Sequence, residues 1–334
     1  MESVVKAIKG GTLIDGTGGK PLNDSVLVIE KSRISQIGKV GEVSIPTDAE
    51  VIDANGRVVM PGLIDCHTHV YTSFSPNRST GFGFLEWSNI DRAIRSTANA
   101  KAILESGVTT IRDCGSAAGI STALRDAIKD GVVDGPRILA CGTGLVCTGG
   151  HMDSDKYVRY LVFHCELPRY KTVDGTNEIL KAVRQEIKMG ADFMKFWATG
   201  GIVEAKDRTQ AQEFSDDEIR TLVQEAKRSG VPVAVHALSA QAIKICIEAG
   251  VRSIEHGIFS DAECIRDMKE NDVYLVPTLV AYELLAMHGG LSLVILRGAQ
   301  KANIALENTI RMAKKEGVKI AMGTDSGSPF NTHG

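Results

Sequence analysis

Residues 58–70 read VVMPGLIDCHTHV. An apolar run, broken by Pro61 and Gly62, leads into Asp65, His67 and His69. Successive side chains of a strand point to opposite faces, so Asp65, His67 and His69 share one face while Cys66 and Thr68 share the other. The small Cys66 and Thr68 suit a face covered by helices. Two imidazoles on the inner face need partners, because an unpaired buried polar group is costly. A divalent cation is the strongest such partner. Taken alone, H-x-H also fits a surface pair or a hydrogen-bonded pair.

Working outward, the sequence after Val58 alternates strand-like and helix-like runs. VTTIRDCG, RILACG, DFMKFWA, VPVAVHAL, RSIEHG, VYLVPTL and VKIAMGTD bring the strand-like runs to eight. Helical stretches such as DRAIRSTANAKAILESG, TNEILKAVRQEIKMG, AQAIKICIEAG and NIALENTIRMAKKEG end in glycine, which suits a left-handed C-cap. SDDEIRTLV opens with Ser215 and has Glu218 three residues on, a capping signature. Eight β/α steps predict an α/β fold, a (β/α)8 TIM-like barrel over residues 58–334, in preference to an open doubly wound sheet. Residues 1–57 differ: short β-rich runs between Gly, Asp, Asn and Pro predict a small antiparallel sheet. GTGGK at 16–20 is followed by Pro21 rather than Ser or Thr, so it reads as a turn and not a phosphate loop. The polar, aromatic stretch Thr148–Val173 interrupts the alternation and reads as an active-site loop.

Composition narrows the function. The 334 residues are 43% hydrophobic, with a formal net charge of −3. That balance offers no broad basic surface, so neither nucleic acid nor a membrane is expected as a partner. No apolar run approaches the roughly 18 residues of a membrane span, and the N-terminus shows no signal-peptide pattern. The seven cysteines are scattered, without a C-x-x-C pair; reduced thiols and a cytoplasmic location are the expectation.

The ends of other strand-like runs carry polar residues too. His236 ends PVAVHAL, His256 ends SIEHG, Asp325 ends KIAMGTD, and Lys195 lies in the apolar DFMKFWATGG. Singly, each has an ordinary structural explanation: a satisfied core histidine, a cap partner, an N-cap, a snorkelling lysine. Six such residues near the C-terminal ends of five strands point instead to one site, where barrel enzymes place their chemistry. Imidazole and carboxylate suit Zn²⁺, and also Mn²⁺, Fe²⁺ or Co²⁺. Burial and neighbouring cations lower a lysine pKa from its free value of ~10.4. The neutral amine can add CO₂ to give a carbamate whose two oxygens bridge two metals. The alternative is one metal, with Lys195 in a salt bridge.

The ordered set PGLIDCHTH, MKFWATGG, VHA, IEHG and GTDSG resembles the amidohydrolase superfamily over most of the chain. TGGH and ATGG are most similar to its imidazolonepropionase-related branch, with prolidase-like (Xaa-Pro) and Xaa-Arg/Lys dipeptidases. The resemblance implies that residues 1–57 form a β-sandwich segment, half of a composite domain. It implies that His67, His69 and Asp325 hold one divalent ion, that His236 and His256 hold a second, and that carboxylated Lys195 bridges them. A hydroxide between the ions would then cleave an amide C–N bond, with Asp325 shuttling the proton. It also implies substrate contacts from His151 in TGGH and from Tyr282. The expected partner is a small molecule such as a dipeptide, an N-acyl amino acid or a cyclic amide, with a homo-oligomer allowed.

Two departures bear on this. Dipeptidases of the branch often place a tyrosine two residues after the strand-5 histidine, where Leu238 stands here; a less charged amide, a cyclic amide or a carbamate is then the expected substrate. The sequence also stops after GSPFNTHG, just beyond the eighth strand-like run. The resemblance implies a further helix and returning strands, so the barrel is expected to be incomplete at its C-terminus. The alternatives are a one-metal, imidazolonepropionase-like hydrolase or deaminase, and an inactive scaffold or fragment. His164 is assigned to the interrupting loop, and His288 and His333 to solvated surface.

Overall fold

The computed structural model describes residues 5–72, 87–153, 170–203, 208–287 and 291–334. The chain divides into two compact units, Met1–Leu63 and Ile64–Gly334. The first contains β1 (Lys6–Lys9), β2 (Thr12–Leu13), β3 (Leu22–Asn23), β4 (Ser25–Glu30), β5 (Arg33–Lys39), β6 (Glu50–Asp53) and β7 (Val58–Val59). They form sheets ordered β5-β4-β1-β6 and β3-β2-β7. The antiparallel expectation is corrected here, because β1 pairs with β6 and β2 with β7 in parallel. Connectivity explains the first case. β4 and β5 form a tight hairpin, and residues 40–49 then carry the chain back, so that β6 starts in the direction of β1.

From β8 (Leu63–Thr68) onward, strands mostly alternate with helices, except that three strands follow one another between the second and third helices and two helices follow the last strand. The strands are β9 (Val108–Asp113), β10 (Arg137–Ala140), β11 (Leu145–Val146), β12 (Lys171–Thr172), β13 (Met194–Trp197), β14 (Val233–Ser239), β15 (Ser253–Phe259) and β16 (Tyr274–Val276). The helices are α1 (Asn89–Glu105), α2 (Ile120–Lys129), α3 (Gly175–Lys188), α4 (Asp216–Arg228), α5 (Ala240–Ala249), α6 (Ala262–Glu270), α7 (Leu279–Met287) and α8 (Leu293–Glu316). The sheets run β10-β9-β8 and β12-β11-β13-β14-β15-β16, the second wholly parallel. Ser215 caps α4 through the Glu218 backbone, and Glu218 bonds back to Ser215, the reciprocal box its sequence predicts.

Alternation along the strands decides which side chains reach the site. Met194, Phe196, Val233 and Val235 pack on helix residues including Ile179, Leu222 and Ile243 in the main core. Lys195, Trp197 and His236 therefore point to the other, inner face.

The run VKIAMGTD is not a regular strand, contrary to expectation; it makes only isolated bridges. It still lies between two strands. Leu275 N donates to Lys319 O and Ala321 N to Leu275 O, while Cys66 N donates to Met322 O and Asp325 N to His67 O. Two features prevent regularity. A Cβ on Gly323 would come within 2.6 Å of Val276 and 2.9 Å of the His67 Cβ, and Asp325 has a left-handed φ of 58°. At the other sheet junction, Asp192 N donates to Ala140 O at 2.8 Å.

Candidate metal centre

β8 and the irregular run bring His67, His69 and Asp325 together. The His67 Nε2 atom lies 3.6 Å from Asp325 Oδ1, and the His69 Nε2 atom 3.3 Å from the same oxygen. The opposite nitrogens are engaged elsewhere. His67 Nδ1 is 2.6 Å from Glu255 Oε2, and His69 Nδ1 is 3.1 Å from the Gly115 carbonyl. His236 and His256 come from β14 and β15. His236 Nε2 bonds the Gly200 carbonyl at 3.2 Å, and His256 Nδ1 meets Thr278 Oγ1 at 2.6 Å. Ring centroids link them: His67 to His69 at 5.4 Å, His67 to His256 at 5.0 Å, His256 to His236 at 4.6 Å.

Lys195 projects into this group from β13. Its side chain is fully buried, and its Nζ has no hydrogen-bond partner among the described residues. The Nζ sits 3.8 Å from the centre of the Trp197 ring. Burial pulls the Lys195 pKa below its ordinary value.

Electrostatics leave the lone pairs of His67, His236 and His256 available. Burial drives His67 and His236 well below the ordinary histidine value, and His256 down to about 4. Burial works in the same direction on His69, but the Asp325 carboxylate outweighs it and raises that histidine. Burial alone would raise Asp325; the hydrogen bond from His69 and the nearby His67 and His256 hold it below the usual carboxylate range instead. A neutral imidazole bonded through one nitrogen presents a lone pair at the other.

The donor set therefore fits a divalent cation. Donor atoms of His67, His256 and Asp325 all lie within 4.8 Å of one another. His67, Cys114 and Glu255 form a second such group, but it suits a cation poorly. Arg112 already pairs with Glu255 at 2.5 Å, and burial pushes the Cys114 thiol up, keeping it protonated.

Around the centre, the His151 ring lies 5.2 Å from that of His236, and the Tyr282 ring 5.7 Å from that of His256. A Cβ at Gly201 would meet His151 Cε1 at 2.0 Å, so the second glycine of ATGG makes room for the imidazole. Leu238 is buried with Ile202, Ile258 and Tyr282 in an apolar cluster. His164 and His288 lie outside the described residues. His333 is corrected: it is half-buried, with Nδ1 3.0 Å from Ser326 Oγ and Nε2 2.8 Å from the Thr72 carbonyl. Its polar sequence neighbours gave the wrong reading, because the imidazole is held by Ser326 and by the backbone of the distant Thr72. Sequence reasoning missed Glu255, Arg112 and Thr278. The available signal was an acidic residue inside the otherwise apolar SIEHGIF.

The profile of the amidohydrolase family matches residues 58–333. The chain belongs to the amidohydrolase family. It is 31% identical to the ochratoxinase of Aspergillus niger, across 97% of this chain and 70% of that protein. It is 25% identical to the imidazolonepropionase of Idiomarina loihiensis, across 96% of this chain and 76% of the relative. A crystal structure of a Xaa-Pro dipeptidase with bound methionine superposes with a TM-score of 0.87 at 35% identity, covering 99% of this chain and 81% of that one. This membership makes the protein a hydrolytic enzyme with an α/β fold, and the family acts on small molecules. No helix among the described residues is long and apolar enough to cross a membrane.

Proposed function

We propose that this protein is a two-metal hydrolase that cleaves the amide C–N bond of a dipeptide or N-acyl amino acid, at the mouth of a (β/α)8 barrel. The observation that carries the reading is the Lys195 Nζ, fully buried near four histidines and Asp325 without a hydrogen-bond partner among the described residues. An ammonium there would have no hydrogen-bond acceptor among the described residues, only the face of Trp197 and the more general field of Asp325 and Glu255. Loss of one proton to free the amine, formation of an N–C bond to CO₂ and loss of a second proton from that nitrogen turn it into a carbamate anion, which suits a cluster of lone-pair donors around cations. His67, His69 and Asp325 would hold one ion, His236 and His256 the other, and the Lys195 carbamate both. When bound, such ions supply a nucleophilic water near neutral pH and a Lewis acid for the carbonyl.

The chain's own groups do the rest. Asp325, held ionised, accepts the water proton and delivers it to the leaving amine nitrogen. Burial keeps the Tyr282 hydroxyl protonated, so it acts as a hydrogen-bond donor to substrate. His151, seated over Gly201, contacts the substrate from the side of His236. The dipeptidase reading is supported by the Xaa-Pro dipeptidase fold match. Leu238, with no hydroxyl to offer a carboxylate, removes one contact to a free C-terminal carboxylate, so less charged amides, cyclic amides and carbamates belong in the same substrate screen.

Elemental analysis of the purified protein is expected to give about two divalent ions per chain. A library of dipeptides and N-acyl amino acids should contain a substrate whose turnover stops with chelator and returns with Zn²⁺. Turnover by folded, metal-free protein would overturn the reading. The close approach of His67, His256 and Asp325 favours a second reading, in which one ion is held by these three. Lys195→Ala distinguishes the two, because the one-ion site keeps its metal content and turnover.

A further inference from the structure

We propose that Glu255 is a positioning residue that fixes the tautomer of His67, and that Arg112 dictates which way Glu255 can act. The proposal rests on the metal-binding reading of His67 for its consequence, but not for its geometry. Glu255 is wholly buried. Its Oε1 accepts from Arg112 Nη2 at 2.5 Å and from Ser253 Oγ at 2.5 Å. Its Oε2 faces His67 Nδ1 at 2.6 Å. Arg112 also donates to Cys66 O at 2.6 Å and to Ser253 Oγ at 2.9 Å, so the guanidinium is pinned to β8 and β15 together.

The backbone is bent to make this possible. On a regular strand Glu255 and His256 would face opposite ways. Here both reach the centre. His256 has φ 69° and Gly257 φ 61°, and the pairing with β14 slips by one residue between Ala237 and Ser239. Such a bulge re-aims side chains beside active sites, and a left-handed non-glycine residue is held there against its own preference. A Cβ on Gly257 would come within 2.7 Å of Leu275, which accounts for the glycine in EHG.

A carboxylate accepts at both oxygens, so His67 must keep its proton on Nδ1 and aim the Nε2 lone pair toward Asp325 and the cation. Glutamine has one acceptor oxygen. Arg112 cannot give up its charge, so in Glu255→Gln the amide oxygen turns to Arg112 and Ser253. The NH₂ group then faces His67 Nδ1. That nitrogen becomes the acceptor, the proton moves to Nε2, and the lone pair is lost from the metal side. Replacing Arg112 as well, in Arg112→Met with Glu255→Gln, frees the oxygen to turn back to His67.

The test uses full-length protein stripped of metal and labelled with ¹⁵N histidine. Long-range ¹H–¹⁵N spectra distinguish imidazole tautomers, with His67 assigned by its loss in His67→Asn. Wild type is expected in the Nδ1–H form, Glu255→Gln in the Nε2–H form, and the double variant in the Nδ1–H form again. Zn²⁺ affinity should fall about 10–100-fold in Glu255→Gln and recover in the double variant, with thermal unfolding of the metal-free forms as the folding control. Wild-type His67 in the Nε2–H form overturns the proposal without any variant. Glu255→Gln with an unchanged tautomer and unchanged Zn²⁺ affinity overturns it too. A wild type that takes up no Zn²⁺ defeats the metal reading, while the tautomer result still decides the role of Glu255.

Discussion

β14 is buried along its whole length and β15 along all but its last residue. By contrast, β8 and the run Lys319–Ser326 leave Ile64 55% exposed, Ile320 39% and Met322 45%. His236 and His256 thus stand on a densely packed foundation, in which Val235, Ile254 and Leu275 belong to the main core. His67, His69 and Asp325 are placed chiefly by hydrogen bonds. Asp65 accepts from the backbones of His67 and Thr324 and from Thr324 Oγ1. Asn331 Nδ2 bonds the Thr324 carbonyl, and His333 joins Ser326 to Thr72. The two halves of one centre therefore reach their geometry by different forces. Packing resists small displacements collectively, whereas a hydrogen-bonded support fails at a single bond.

The largest effect should come from the hydrogen-bonded half. Asp325→Asn is expected to lower kcat roughly 10²–10⁴-fold on the best library substrate, with a thermal midpoint close to wild type. A folded Asp325→Asn protein that keeps wild-type kcat would remove this role. Next come paired truncations. Ile254→Ala in the packed half should cost about 2–5 kcal/mol in denaturant unfolding and leave kcat of the folded fraction unchanged. Thr324→Val strips a donor from buried Asp65 and should cost about 1–3 kcal/mol, yet depress kcat because Asp325 follows directly. If Ile254→Ala hurts turnover more than Thr324→Val does, the contrast between the halves is wrong.

The smallest effect is at Asp261, which caps α6 next to the packed half and accepts from Cys264 N at 2.8 Å. Burial raises its pKa, but the hydrogen bonds from Cys264 and Lys244 and the Lys244 charge together outweigh that and hold it at about 2. A depressed carboxylate stabilises the fold above its unfolded value and loses that contribution as pH falls through its folded value. Wild type should therefore lose thermal stability between about pH 4 and pH 2 more steeply than Asp261→Asn, which keeps the cap without the charge. Parallel midpoint curves for the two proteins would remove this contribution.

The sequence shows much of this molecule through period and position. Alternation in DCHTH gave the shared face of His67 and His69, and the glycine-ended helices gave the β/α rhythm. Glu255 stayed hidden because alternation, correctly applied, sends it away from His256. Only the left-handed turn at His256 and Gly257 reverses that, and backbone handedness at a histidine leaves little trace in composition. The irregularity of Lys319–Ser326 was hidden for a similar reason. Its apolar letters suit a strand, while the constraint at Gly323 comes from Val276 and His67, distant in the chain. The parallel pairing of β1 with β6 depends on a loop crossing that local pattern does not encode. His333 looked like surface because its sequence neighbours are polar and loop-like, while one of its two partners is a backbone carbonyl far away in the chain, at Thr72.

Trp197 is one of only two tryptophans, and its indole occupies space that glycines at 115 and 144 leave open; a Cβ on Gly144 would be 2.4 Å from the ring. With the Lys195 nitrogen stacked on it at 3.8 Å, the ring is a built-in optical gauge. An ammonium would draw on its π-electrons, whereas a carbamate would present a negative group to the same face. Under the proposed carboxylation of Lys195, ultraviolet emission would follow CO₂ uptake in real time, with no label attached.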